Sequence, residues 1–221
     1  MLLDYTAAMD AVKPPRDRRA RQAAATRARI VEAAGRLFAE KGYAATTIDA
    51  VAAEADVAVE TVYARFKNKR NLLEAYLDVS IVGDAEPVPL LDRPEVQAVA
   101  AAATQQEQLR LLARLMRGVL ERNAAAHAVL KAAAAVDPDL DALAAEDDQR
   151  RKATHRAFVE MLRSRGPLRD GLSTNDAVDT MSAIANPETC AFLIRRRGWT
   201  PARVERWLAE TLGLLLLPPP R

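Results

Sequence analysis

The apolar positions of this chain recur at helical rather than alternating spacing. Over residues 28–41, Ile30, Ala34, Leu37 and Phe38 stand at i, i+4, i+7 and i+8, while Arg29, Glu32, Arg36 and Glu40 face away, which predicts an amphipathic helix. Gly42 closes it, because glycine accepts the left-handed conformation and Lys41 suits the carbonyl end. Ile48, Val51, Ala52 and Ala55 place a second apolar stripe on a helix at 48–54, with Thr47 as its N-cap. A break follows at Ala55-Asp56-Val57-Ala58, where Asp56 is placed to take a positive φ. Val62 and Phe66, at i and i+4, then form the buried edge of a third helix over 59–66. Two very short helices joined by a tight turn, after a longer one, are the layout of a helix-turn-helix unit.

Downstream, a fourth helix is expected from Lys69 to about Val82, and Pro87, Pro89 and Pro94 make 83–94 a loop. Further helices are expected over 95–103, 105–123, 124–136 and 139–165, with breaks at Asp137-Pro138 and Gly166-Pro167. Another runs from a cap at Ser173 to Arg197, kinked at Pro187. The last is opened by Thr200 as N-cap and Pro201 at the first helical position, and carries Val204, Trp207, Leu208, Leu212 and Leu215 on one stripe. No fixed-period repeat is present, which excludes a solenoid.

Composition agrees with an all-α fold. Of 221 residues half are apolar but only 5% aromatic, with 8 Gly and long stretches of the strong helix formers Ala, Leu, Arg and Glu. No apolar run approaches the roughly 20 residues of a membrane span, since Leu212 to Leu217 is interrupted by Gly213 and stops at Pro218. The N-terminal residues lack the pattern of a secretion signal, and a lone Cys190 fits a reducing compartment, so a cytoplasmic protein is expected. The net charge of +2 hides an asymmetry. Residues 1–70 carry 13 Lys+Arg against 9 Asp+Glu, and residues 71–221 carry 19 against 21. Seven of the basic residues lie between Lys13 and Arg29, a segment that attracts a polyanion.

From Thr26 to Asn71 the pattern becomes specific. Leu37-Phe38 before Gly42-Tyr43, the Thr46-Thr47 pair, the Val51-Ala52 pair, and Thr61-Val62-Tyr63 with Phe66 and Lys69 together resemble the DNA-binding domain of the TetR family of bacterial transcriptional regulators. The turn departs from the family at Asp56 and Ala58, where Gly and Ser are usual. The resemblance implies a basic N-terminal arm at 1–24, a three-helix helix-turn-helix DNA-binding domain at 25–70, and a helical ligand-binding and dimerisation domain at 71–221. With Val62 and Phe66 inside, Glu60, Thr61, Ala64 and Arg65 face outward and Tyr63 lies on the flank. Arg65 is the candidate for base readout, because a bidentate guanidinium on guanine discriminates by roughly 1–3 kcal/mol. Thr46, Thr47, Tyr63, Lys67 and Lys69 are the further candidate DNA contacts that the resemblance implies, the hydroxyls and lysines toward phosphates. Removal of residues 1–24 is expected to weaken DNA binding and flatten its salt dependence.

For the larger domain the resemblance implies a homodimer through helices at about 175–197 and 201–217, reading a pseudo-palindromic operator on double-stranded DNA, and a small-molecule ligand of unknown identity. Soft or polar residues set in apolar helices, Met116, Asn123, His127, Met161, Asn186 and Cys190, together with His155, are candidate pocket residues. The Ala-rich stretches 98–103 and 132–135 are candidates to border a cavity. The most direct reading is a ligand-released repressor without cofactor or metal. A ligand-independent helical DNA-binding or adaptor protein is the alternative. A helical enzyme fits less well: the two histidines lie 28 residues apart, and the acids Glu146, Asp147 and Asp148 in AEDDQRRK read as a solvated helix face.

Overall fold

A computed structural model describes residues 15–84 and 88–219 of the chain. Among them the elements are α1 (Pro15–Ala45), α2 (Ile48–Glu54), α3 (Val59–Phe66), α4 (Lys69–Val82), α5 (Pro94–Ala101), α6 (Gln105–Ala134), α7 (Pro138–Arg163), α8 (Thr174–Ile184), α9 (Pro187–Ala191) and α10 (Pro201–Leu216), with a short 3-10 turn at Leu90–Asp92 and a π turn at Phe192–Arg196. No strand occurs among the described residues, and the fold is all-α as expected.

The first helix begins at Pro15, well before the apolar stripe that revealed it. Residues 15–27, PRDRRARQAAATR, have high helix propensity but no apolar face, so periodicity could not find them. The part of the expected arm from residue 15 onward is therefore helix continuous with α1, and residues 1–14 lie outside the described residues. Gly42 ends the regular helix with φ +80 and ψ 163, a glycine-only geometry rather than the left-handed cap expected. Asp56 takes φ +52, as its place in the turn requires.

Two other elements differ from the periodicity reading. The helices expected at 105–123 and 124–136 are one, α6, because Leu120, Asn123, Ala126 and Leu130 all face inward and Asn123 interrupts nothing. Pro187 does not kink a long helix; Ala185 leaves helical geometry and Asn186 caps a new helix with Pro187 in its first turn. The expected 174–197 helix is thus three pieces, α8, α9 and the π turn.

Two cores result. The first joins Ile30, Phe38, Val51, Val62, Phe66, Leu72 and Leu77 of α1 to α4 with Ala126 and Leu130 of α6 and Leu140 and Leu143 of α7. The second joins α5, the early part of α6, the end of α7, α8, α9 and α10. α4 reaches α1 through Tyr76, whose ring lies against Gly35 so closely that a Cβ there would collide with it.

Candidate functional site

α3 is held as a ledge. Val62 is fully buried and Phe66 nearly so, with the Arg27 guanidinium of α1 5.5 Å above the Phe66 ring. That anchoring leaves Glu60, Ala64 and Arg65 exposed, Thr61 partly so, and Tyr63 50% exposed. Tyr63 is not a packing aromatic. Thr47 caps α2, its Oγ1 accepting from Ala50 N at 3.1 Å, and its own proton remains free to donate outward. Lys67 is exposed at the end of α3 with φ +65.

Two of the expected contacts are corrected. Thr46 is 1% exposed, and its hydroxyl proton is shared between the carbonyls of Gly42 (2.8 Å) and Leu37 (3.1 Å), so it faces the core and not DNA. Lys69 Nζ donates to the carbonyls of Tyr43 (2.9 Å), Thr46 (3.0 Å) and Ala44 (3.4 Å) and lies 4.3 Å from the Tyr43 ring centroid. Its three protons are committed to the end of α1, and burial lowers its pKa. Both side chains shape the turn that presents α2 and α3; neither is left to grip a phosphate.

Between α4, α6 and α7 lies a cavity of about 460 Å³. Ile81, Val82, Leu90, Leu115, Met116 and Phe158 line its apolar part; Asn123, Asp147, Arg150, Arg151 and His155 line its polar part. Asp147 is only 4% exposed, with Arg150 Nη2 at 3.5 Å and Arg151 Nη1 at 3.6 Å from its carboxylate oxygens. The AEDDQRRK stretch is therefore not wholly a solvated face. Leu140, Leu143, Asp147, His155 and Phe158 share the buried stripe of α7, and reading Asp147 at that spacing would have found it. Ser182 donates to Val178 O (2.8 Å), so its oxygen accepts from His155 Nδ1–H (2.8 Å) and Nε2 is left as the acceptor of a neutral ring. Burial, with Arg151 adding to it, pushes the His155 pKa down to about 4.

Of the six pocket candidates, Met116 and Asn123 line this cavity, and Asn123 accepts from the Ser80 hydroxyl at 2.7 Å. The other four do not. His127 sits beside Glu188 (3.6 Å), its pKa lowered by burial; Met161 packs on the second core; Asn186 caps α9 through Thr189 N at 2.8 Å. Cys190 is 2% exposed with its thiol pushed up to about 11 by burial, which makes it inert. Neither Ala-rich stretch borders the cavity.

Known proteins resemble this chain in its N-terminal sequence and in its fold. Residues 30–76 match the family model described as bacterial regulatory proteins, tetR family. The HTH-type transcriptional regulator YvkB of Bacillus subtilis (strain 168) is 46% identical over 52 residues, which are 24% of this chain and 28% of that protein. The match thus spans little more than a quarter of that relative's length. The transcriptional regulator FadR from Bacillus subtilis in complex with stearoyl-CoA superposes with TM-score 0.65 at 18% identity, over 83% of this chain and 96% of its own. NalD, the secondary repressor of the MexAB-OprM multidrug efflux pump in Pseudomonas aeruginosa, gives TM-score 0.63 at 21% identity, over 88% and 98%. At these identities the two structures establish a common fold. The helix-turn-helix segment, with α2 and α3 at its centre, supplies the rest: over residues 30–76 the chain matches the tetR family of bacterial regulatory proteins.

Proposed function

We propose that this chain is a sequence-specific DNA-binding transcriptional regulator, a repressor that sits on a pseudo-palindromic operator as a homodimer and leaves it when a small molecule occupies the cavity. The observation that carries this reading is the α3 ledge, a short helix whose outer face is polar and exposed while its inner face is locked by Val62 and Phe66. An exposed helix of this kind fits the major groove. Arg65 supplies base readout, Glu60, Thr61 and Ala64 the surrounding shape, and Thr47, Tyr63 and Lys67 the phosphate contacts. Residues 25–70 act as the DNA-reading unit and 71–221 as the sensing and dimerising unit.

The cavity favours a regulator over a DNA-binding protein that senses nothing, since a domain without a ligand has no need of a pocket with one apolar end and one polar end. A mostly apolar molecule with a hydrogen-bonding end suits it. Such a ligand releases DNA only through its differential affinity for two arrangements of the reading units. Selection of bound fragments from the source genome tests the reading. Recovery of a short pseudo-palindrome is the expected result, and fragments with no shared sequence overturn it.

A further inference from the structure

Beside α3 runs a groove that the reading above leaves unassigned. One wall is the N-terminal stretch of α1, with Arg19, Gln22, Thr26 and Arg29 on a single stripe; the other is the turn and the start of α3, ending at Arg65. No carboxylate lines it. Several other arginines on the helix surfaces are paired: Arg36 with Glu32 and Glu54, Arg70 with Glu146, Arg117 with Glu205, Arg163 with Glu160. Arg19, Arg29 and Arg65 have no ion pair among the described residues, although all three are exposed. Three unneutralised guanidiniums around one concavity repel one another, and an anion between them removes that repulsion. A second feature points the same way. Ala58, on the groove wall, is the N-cap of α3 and has no side chain to accept from the first amides of the helix. One of those donors, Thr61 N, is already bonded to Ala58 O at 2.9 Å, and a nearby anion is attracted to the others.

We propose that this groove seats a backbone phosphate of the DNA flanking the bases read by α3, held by Arg19 and Arg29, with Arg65 at the rim reaching onward to the bases. The proposal rests on the DNA-binding reading and adds a contact from α1, outside the α2–α3 pair. It also gives the α1 extension a purpose: as a continuous helix it fixes Arg19 relative to α3, where a loose arm would not. A phosphate seat positions the protein without specifying sequence.

The test uses the full chain and two labelled duplexes, the selected operator and a scrambled sequence, titrated across salt concentrations by fluorescence anisotropy. Arg19→Ala/Arg29→Ala is expected to weaken binding to both duplexes by a similar factor and to lower the slope of log affinity against log salt by about one unit per bound reading unit. The operator-to-scramble ratio stays unchanged, whereas Arg65→Ala reduces that ratio. Arg19→Lys/Arg29→Lys keeps most of the slope, and the thermal midpoint of each variant shows that it is folded. An unchanged slope in the folded double-alanine variant overturns the seat, as does a changed ratio. Stabilisation of the wild type by inorganic phosphate that is lost in the variant, with the DNA slope intact, assigns the groove to a free anion and overturns it too. If the wild type prefers no duplex, the regulator reading fails, yet the slope on scrambled DNA still decides the seat.

Discussion

Around the turn between α1 and α2 five carbonyls, those of Leu37, Gly42, Tyr43, Ala44 and Thr46, accept from two side chains, the Thr46 hydroxyl and the Lys69 ammonium, and that of Tyr43 accepts from Thr46 N as well. Thr46→Val keeps the shape and removes the shared proton, stranding a buried acceptor at a cost of about 1–3 kcal/mol. Urea denaturation is expected to show that loss, and operator affinity measured well below the unfolding midpoint is expected to change far less; an unaltered midpoint contradicts the inward role. His155 gives a second test. Its folded pKa is about 4 against an ordinary 6.5, with burial the main cause, so between those values the unfolded chain binds the extra proton. Its contribution is fully present above about pH 6.5 and is lost as pH falls toward 4, amounting to roughly 3 kcal/mol. His155→Gln should flatten the dependence of the urea midpoint over that range. Undiminished pH dependence in the variant would place the titration elsewhere, and His127, also lowered, is the next group to replace.

α4 connects the reading unit to the cavity. At its start Lys69 holds the α1–α2 turn and Arg70 bonds Glu146 of α7 at 3.0 Å; one turn on, Glu74 accepts from Arg150 of α7 at 3.1 Å; at its end Ile81 and Val82 line the cavity. Its seat on α1 depends on Gly35, which makes room for the Tyr76 ring. Gly35→Ala forces that ring out of place, a cost of about 1–3 kcal/mol, and the smaller ring-free side chain of Tyr76→Leu should recover part of it in the double variant. Equal stability of Gly35→Ala and wild type in urea would show that the packing is slack. The bounds of α4 were legible in the sequence because Asn68 caps it and Gly83 ends it, and the α3 ledge was legible because Val62 and Phe66 are unambiguous. Gly35 was not, since a glycine inside a helical pattern says nothing about which ring faces it. The same limit hid Thr46 and Lys69: one sequence shows that a hydroxyl or an ammonium is present, but its direction is decided by carbonyls from another element. Asp147 was missed for the opposite reason, its charged neighbours suggesting solvent while its position on the α7 stripe put it inside.

At the scale of the whole molecule, a reading unit of two short helices can contact only one half-site, so two copies must be held at a fixed separation for a pseudo-palindrome to be read. The surface that does this must be apolar and otherwise unexplained. α10 buries Val204, Leu208, Leu212 and Leu216 and turns Leu214, 75% exposed, the other way; Phe192 on the π turn is 46% exposed. Ala209 and Gly213 stand one turn apart beside Leu214, so a partner helix can approach the α10 backbone closely. Near them Trp199 and Trp207 meet edge to face at 6.0 Å, with Arg203 4.0 Å over Trp199, which stiffens the entry to α10. Because α8, α9 and the π turn replace one long helix, α10 is the straight element of the proposed interface and is expected to carry the greater share. Leu214→Asp places a charge on this outer face and leaves the buried stripe untouched. Light scattering is expected to show monomer at micromolar concentration with an unchanged thermal midpoint at low protein concentration. Operator affinity then falls by at least tenfold, because the second reading unit no longer binds as part of the same particle, while affinity for a single half-site is retained. A variant that remains dimeric with full operator affinity moves the interface away from α10.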